Sequence, residues 1–169
     1  MKKLIIITVL FTSSVFAQQG ISFALLHDVK LGLGLDKEHK NDKYTTDLIF
    51  NMNWETRQYE YYYFTLQSQY EHANLYSGYL RRYSVHGIWN FNKLIVPKLN
   101  IGIGIGVGAL HRENYGGMLN YSGTMDISYP MFKNVAIIAK NEWVKRPELP
   151  NKKIGYNLSF GIKYKPINL

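Results

Sequence analysis

Apolar and polar residues alternate with a period of two along most of this chain. Over residues 21–35 the odd positions are apolar apart from His27, and the even positions are small, polar or charged apart from Leu26. Successive side chains of a β-strand point to opposite faces of the sheet. The segment is therefore predicted to be a strand with one apolar face and one polar face.

Seven further segments repeat this alternation. The clearest is 99–108, where apolar residues at odd positions alternate with Asn100 and four glycines. Strands of about ten residues have the length needed to cross a bilayer at a tilt of about 45°, and this proportion of strand is high for a soluble domain. We predict an all-β chain folded as an eight-stranded antiparallel up-and-down transmembrane β-barrel. In chain order the further segments span 44–55, 62–71, 82–91, 99–108, 119–129, 135–143 and 154–164.

The connections between these segments are expected to alternate in length. Residues 36–43 form a long charged connection, whereas 56–58 and 130–134 are short. Such alternation places short turns at one rim of a barrel and long loops at the other. Residues 92–98 are an exception, because they are long and partly apolar where a short turn is expected.

The composition of the two faces distinguishes a membrane barrel from a soluble, lipocalin-like barrel, which is apolar inside and charged outside. Here the polar face is rich in Gly, Ser, Thr, Asn and Gln, which suits a narrow interior better than a solvent-exposed surface. The apolar face carries aromatic residues near both strand ends, as membrane-interface belts do. The expected belts are Phe23, Trp54, Tyr62, Trp89, Phe91, Tyr129 and Tyr164 at the short-turn rim, and Tyr44, Tyr70, Tyr83, Tyr121, Trp143 and Tyr156 at the long-loop rim.

In the fifth segment, 99–108, this assignment predicts the surroundings of individual residues. Ile103 and Ile105 are expected to contact lipid, and Gly104 is expected to face the interior. Because a narrow interior has little spare volume, we expect Ser to be tolerated at Gly104 and Trp to be excluded.

The first 17 residues have the pattern of a secretory signal peptide. Two lysines precede the apolar run 4–11, and a short polar stretch leads to a small residue, Ala17. The run is too short for a membrane-spanning helix, which needs about 20 apolar residues. We therefore expect a signal peptide over 1–17 and a single barrel domain over 18–169, and the latter has a net charge of +6.

The overall composition excludes several classes of protein. Hydrophobic residues make up 46% of the chain and charged residues 19%, so the chain is not intrinsically disordered. The absence of cysteine excludes a disulfide-stapled module and a thiolate zinc site. Nucleic acid is not an expected partner of an exported protein whose strands lie in lipid.

With its signal peptide, strand number and alternating pattern, the chain resembles the small eight-stranded outer-membrane barrels of the OmpA/OmpX type. The resemblance implies a bacterial outer-membrane location. We further expect contact with outer-membrane lipids and lipopolysaccharide, and a structural or cell-surface role without catalysis. Members of that family usually end on an aromatic residue that the outer-membrane assembly machinery reads. This chain departs from the pattern, because Tyr164 is followed by residues 165–169.

Charged side chains on the polar face are expected to form a network inside the barrel. An unpaired buried charge is costly, so these groups must pair, and Glu71 with Arg82 is the pair expected first. The network is predicted to plug the barrel, with a narrow small-solute pore as the alternative. The network is expected to comprise Asp28, Lys30, Asp47, Glu71, Arg82, His86, Asp126, Lys140, Glu142 and Lys163.

A lipid A-modifying enzyme is the alternative of a different class. Deacylases of this fold carry a His-x-Ser-Asn element on the lipid-facing surface, and the nearest match here, Ser84-Val85-His86, is reversed and faces inward. His86 is therefore expected to be a hydrogen-bonded interior residue. His27 lies on the apolar face and marks a bulge, a shifted register or a lipid-side site. The spacing of the histidines predicts no metal site, and no catalytic or cofactor-binding residue is expected.

The basic residues of the last long loop suggest a contact with lipid. Lys145, Arg146, Lys152 and Lys153 outnumber Glu148 there. They could pair with lipopolysaccharide phosphates, and a solvated loop is the alternative.

Overall fold

The computed structural model describes residues 18–29, 47–56, 58–75, 78–113, 116–145 and 154–166. Eight antiparallel strands pair in chain order, and β1 also pairs with β8, which closes the barrel. This confirms the predicted fold class. No helix among these residues is long and apolar enough to span a membrane. The strands are β1 Gln18–Asp28, β2 Asp47–Thr56, β3 Tyr62–Leu75, β4 Gly78–Asn92, β5 Asn100–Arg112, β6 Gly116–Phe132, β7 Val135–Lys145 and β8 Ile154–Tyr164.

The two faces of the barrel wall follow the sequence alternation. On β2, Asp47, Ile49 and Asn51 are buried, whereas Leu48 and Phe50 between them are exposed. On β5, Ile103 is 54% and Ile105 is 77% exposed on the outer surface. The prediction that the apolar face points outward is therefore confirmed. The interior of the barrel is filled mainly by polar side chains instead.

The first residue of β1, Gln18, and the last residue of β8, Tyr164, lie at the same end of the barrel, which we call the terminal rim. We call the opposite end the distal rim. The terminal rim carries the connections 57–61, 93–99 and 133–134. The distal rim carries 29–46, 76–77, 113–115 and 146–153. The predicted alternation of short and long connections is therefore wrong, since two of the distal connections are as short as the terminal ones. The central strands β3 to β6 are longer instead, at 13 to 17 residues.

Several predicted boundaries also need correction. The connection between β2 and β3 extends to residue 61, and that between β6 and β7 contracts to 133–134, because β6 continues through a register shift between Pro130 and Phe132. The long connection 93–99 is present as expected, and its exposed residues 94–96 are apolar. The predicted first strand continues to residue 35, but of residues 29–46 only Val29 is described.

His27 lies in an uninterrupted part of the β1–β2 ladder. It pairs with Leu48, and the shift in this ladder falls between Gln18 and Gly20 instead. A bulge or a shifted register at His27 is therefore excluded. On the other side His27 pairs with Phe160, midway along β8 between Tyr156 and Tyr164.

The glycines of β5 make room for the inward side chains of β4. A Cβ atom at Gly106 would lie 2.5 Å from His86 Nδ1, and one at Gly104 would lie 2.5 Å from the backbone oxygen of Gly87 and 2.8 Å from Ile88 Cγ1. Since a backbone oxygen cannot yield as a flexible side chain can, the expected tolerance of Ser at Gly104 is wrong. The alternation of glycines is thus a packing requirement between two neighbouring strands.

Aromatic side chains on the outer surface contact one another across neighbouring strands. The ring centroids of Phe64 and Trp89 are 5.2 Å apart, and those of Tyr70 and Tyr83 are 4.8 Å apart. Aromatic pairs at such distances stabilise a sheet beyond the area that they bury. Of the predicted belt residues, Tyr44 lies outside the described residues.

Candidate functional site: the barrel interior and its rims

A buried charge cluster crosses the interior from β3 and β4 to β7. Arg82 Nη2 lies 2.6 Å from Glu71 Oε2, so the two residues expected as a pair are in contact. Arg82 also donates to both carboxylate oxygens of Glu142, at 3.0 and 2.6 Å. Arg82 and Glu142 are each 1% exposed. Such a bidentate contact joins two opposite parts of the barrel wall with fixed geometry.

Lys140 adds a second connection across the interior. Its Nζ donates to Gln67 Oε1 at 2.7 Å and to Gln69 Oε1 at 2.5 Å. Gln69 Nε2 in turn donates to Glu142 Oε2 at 3.1 Å. Because the two glutamines have no charge, they were not among the residues predicted for the network. Their inward position in β3 was the available signal, but only the register brings them opposite Lys140.

Ser84, His86 and Glu142 lie together, yet their geometry is not that of a nucleophilic triad. Ser84 Oγ is 2.8 Å from His86 Nε2, and Glu142 Oε1 is 3.7 Å from the same nitrogen. A triad base uses one ring nitrogen for the nucleophile and the other for the carboxylate, but here Nδ1 has no hydrogen-bond partner among the described residues. His86 is also fully buried, so a substrate cannot reach it.

Two groups of buried apolar residues accompany the charge cluster. Ala73 and Leu80 lie one inward position beyond Glu71 and Arg82, toward the distal rim, and pack with Leu110, the ladder partner of Arg82. A second group joins β1, β2 and β7 and contains Leu26, Ile49 and Ile138. Both groups remove water from the interior beside the charges, which strengthens the electrostatic contacts.

A second set of ion pairs lies at the terminal rim. Glu55 Oε1 is 2.8 Å from Lys163 Nζ, and Glu55 Oε2 is 2.8 Å from Lys165 Nζ. Ser22 Oγ donates to Glu55 Oε1 at 2.9 Å. The backbone nitrogen of Lys165 donates to the Asn134 oxygen at 2.9 Å, so the chain continues to be held after Tyr164. Lys165 follows the last alternating residue of the chain, so the alternation gave no signal for its inward position.

The remaining residues expected in the interior network fall into three groups. Asp28 and Asp47 are buried near the distal ends of β1 and β2. Asp126 is buried, accepts a hydrogen bond from Thr124 Oγ1 at 3.1 Å and is the ladder partner of Lys140. Lys30 lies outside the described residues.

Basic and aromatic side chains form an outward patch near the distal rim, which we call the Arg81 patch and define by His72, Tyr79, Arg81 and His111. Arg81 is the ladder partner of both His72 and His111. The Arg81 guanidinium lies 4.7 Å from the Tyr79 ring centroid, and Tyr79 Oη is 3.2 Å from His111 Nε2. The patch adjoins the Tyr70–Tyr83 pair of the distal aromatic belt.

Of the four basic loop residues expected to face lipopolysaccharide, only Lys145 is described. It is exposed at the end of β7, and its Nζ lies 5.9 Å from the ring centroid of Tyr121. Arg146, Lys152 and Lys153 lie outside the described residues.

His27 is oriented toward the outer surface, and its Nδ1 is 2.6 Å from the Asp47 backbone oxygen. Its ladder partners are the apolar residues Leu48 and Phe160. Within the described parts of the chain, no group of three or more His, Asp or Glu side chains could hold a metal ion.

These features define a closed eight-stranded antiparallel barrel with an apolar outer surface and a polar, charge-bearing interior. It has the fold of the small outer-membrane barrels of the OmpA/OmpX type, as the sequence resemblance implied. No protein-family model matches the sequence, and no curated protein matches it.

Solved structures share this fold at low sequence identity. The Yersinia pestis outer membrane protein Ail superposes with a TM-score of 0.55 at 14% identity, over 88% of this chain and 100% of that chain. Neisserial surface protein A gives 0.51 at 12% identity, over 86% and 96%. A de novo designed transmembrane β-barrel gives 0.51 at 11% identity, over 88% and 97%. At these identities the likeness establishes the fold alone.

Proposed function

We propose that the mature chain is a non-enzymatic bacterial outer-membrane barrel with a structural or cell-surface interaction role, closed to solutes by its interior. The signal peptide expected over residues 1–17 delivers it to the periplasm, and the outer-membrane assembly machinery inserts it. The exposed apolar band between two rows of aromatic side chains supports the membrane location, because rings of this kind favour the membrane–water interfaces.

The observation that carries the closed interior is the Arg82–Glu142 contact. It joins β4 to β7 across the barrel, and Glu71, Gln69 and Lys140 extend it on either side. The apolar side chains of Leu80 and Leu110 lie beside it. A solute would have to break several charge-assisted hydrogen bonds in a dry environment to pass.

Conductance in planar bilayers tests the closed interior. The refolded wild-type protein should give no stable current steps, whereas a large porin inserted in the same bilayer under the same salt should give them. Folding is verified by the different gel mobility of the unboiled and boiled forms, and the protein is delivered to the bilayer by fusion of vesicles that also carry the porin, whose current steps report insertion. Discrete, reproducible steps from the wild-type protein would support the narrow pore instead.

The Arg81 patch supports a contact with lipopolysaccharide phosphates. A guanidinium binds phosphate through paired hydrogen bonds, and here it lies on the outer surface, next to the aromatic belt and beside two histidines. The exposed Lys145 lies at the same rim, at the distal end of β7, and we expect the loop residues Arg146, Lys152 and Lys153 to pair with phosphates as well. The distal rim accordingly faces the cell exterior.

Replacing Arg81 tests this contact. In detergent, Arg81→Ala should weaken binding of lipopolysaccharide by roughly three- to tenfold, the effect of one or two charged contacts at a partly exposed site. Lys98→Ala, at the terminal rim, is the matched control and should leave binding unchanged. If dephosphorylated lipopolysaccharide binds the wild-type protein as tightly as the phosphorylated form, the patch does not recognise phosphate.

A further inference from the structure

An open cavity of about 690 Å³ occupies the terminal rim. Its outer wall is built by residues 58–60, 93, 97–99 and 133–134 of the connections, and its inner wall by residues at the terminal ends of β2 to β8. The volume falls in the range of sites that bind small molecules. The charge cluster around Arg82 lies deeper in the barrel, so this cavity, which we call the terminal vestibule, is separate from the plug.

The charge of the terminal vestibule favours an anionic ligand. Five lysines and two glutamates line it, which leaves a formal excess of three positive charges. Glu55 already contacts both Lys163 and Lys165, and the exposed Glu60 lies 4.0 Å from Lys93. Lys98 and Lys133 stand exposed on two different connections around the opening. A recess with an excess of one sign of charge concentrates ions of the opposite sign.

The polar wall also offers hydrogen bonds that the protein does not use. The Asn92 Nδ2 donor and the Asn100 Oδ1 acceptor are buried and have no partner among the described residues. The Asn100 amide is held in place, because its Nδ2 donates to Tyr63 Oη at 3.0 Å and lies 3.4 Å from Ser128 Oγ. A buried acceptor without a partner is costly, so a ligand that brings a hydroxyl group would be stabilised here.

An aromatic surface completes the wall. Tyr59 lines the terminal vestibule, is 54% exposed and stacks on Tyr62 with ring centroids 5.0 Å apart. A fixed aromatic ring presents an apolar face to the C–H groups of a flat ring ligand. Phe132, which is 73% exposed, also lines the cavity. The combination of lysines, unpartnered amide atoms and exposed rings matches a sugar ring that carries a carboxylate.

We propose that the terminal vestibule binds an acidic saccharide. The carboxylate contacts Lys98 and Lys133, the hydroxyl groups bond to Asn92 and Asn100, and the ring packs on Tyr59. The proposal does not depend on whether the barrel conducts solutes or binds lipopolysaccharide, because none of these residues belongs to the charge cluster or to the Arg81 patch.

The test is a titration of the refolded mature protein in zwitterionic micelles, followed by the amide chemical shifts of the vestibule residues. D-Galacturonate is the probe, D-galactose is the same ring without the carboxylate, and succinate supplies carboxylates without the ring. We expect saturable shifts with galacturonate and binding weaker by roughly tenfold for both other compounds, since each lacks one set of contacts. Added salt should weaken the galacturonate response.

Exposed residues are used for the variants so that the barrel still folds, as the gel mobility of the unboiled form verifies. The double variant Lys98→Gln/Lys133→Gln should weaken galacturonate binding by roughly fivefold or more. Glu113→Gln, which changes one exposed charge at the distal rim, is the control and should bind as the wild type does. Absence of saturable shifts, or equal affinity of the double variant, would overturn the site. Succinate binding as tight as galacturonate binding would overturn the assignment to a saccharide.

Discussion

Ile105→Arg should lower the free energy of unfolding by about 2–4 kcal/mol, the cost of a basic residue at the centre of the lipid-facing surface. Ile105 is 77% exposed near the middle of β5 and is the ladder partner of Gly87 and Gly123, whereas Ile103 lies closer to the terminal rim, opposite Trp89. Ile105→Asn should cost less than Arg but remain unfavourable, because the amide finds no partner in hydrocarbon. Folding titrations in lipid vesicles measure the difference.

A substitution at the neighbouring residue, Gly104, tests the inward face of the same strand. Gly104→Ala adds only one carbon, yet that atom meets the backbone oxygen of Gly87 at 2.5 Å, so we expect a cost of about 1–3 kcal/mol from overpacking. Gly123→Ala on β6 is the matched control, since its Cβ would have no atom within 4 Å, and it should be nearly neutral. If Ile105→Arg were harmless in vesicles, the outer surface would not contact lipid and the membrane assignment would fail.

In the interior, Glu142→Ala should lower the free energy of unfolding by about 3–5 kcal/mol, because removing one member of a buried ion pair leaves the other charge uncompensated. Arg82 would keep only Glu71 as a carboxylate partner, and Gln69 Nε2 would lose its acceptor. Glu142→Gln keeps the shape and part of the hydrogen bonding, so it should be less damaging. Urea unfolding in vesicles, with gel mobility as the readout, measures both.

The control for this change is the exposed pair at the terminal rim. Glu60 is 65% exposed and lies 4.0 Å from Lys93, and Glu60→Ala should change stability by about 0–1 kcal/mol, as is usual for surface ion pairs. Equal effects of the two substitutions would mean that water enters the interior and screens the charges. The closed interior would then be wrong, although the barrel fold would remain.

The period of two by itself determined the strand number, the assignment of side chains to the two faces, and the fold class. The reason is local, because a one-residue change of register would exchange the two faces of an entire strand. In β5 the apolar residues alternate with glycines, so only one of the two faces can contact lipid. Connection lengths were harder to predict, because strands β3 to β6 continue into residues that carry no clear alternation.

The contacts across the interior were decided by the tertiary structure. Alternation places Glu71, Arg82, Lys140 and Glu142 inside, but it does not say which of them are opposite one another, since that depends on the register around the whole barrel. The same holds for Gln67 and Gln69 against Lys140, and for the clash that excludes a side chain at Gly104. The terminal vestibule could not be predicted from the sequence. Its wall combines three connections and the end of β8, which are far apart in the chain and meet only when the barrel closes.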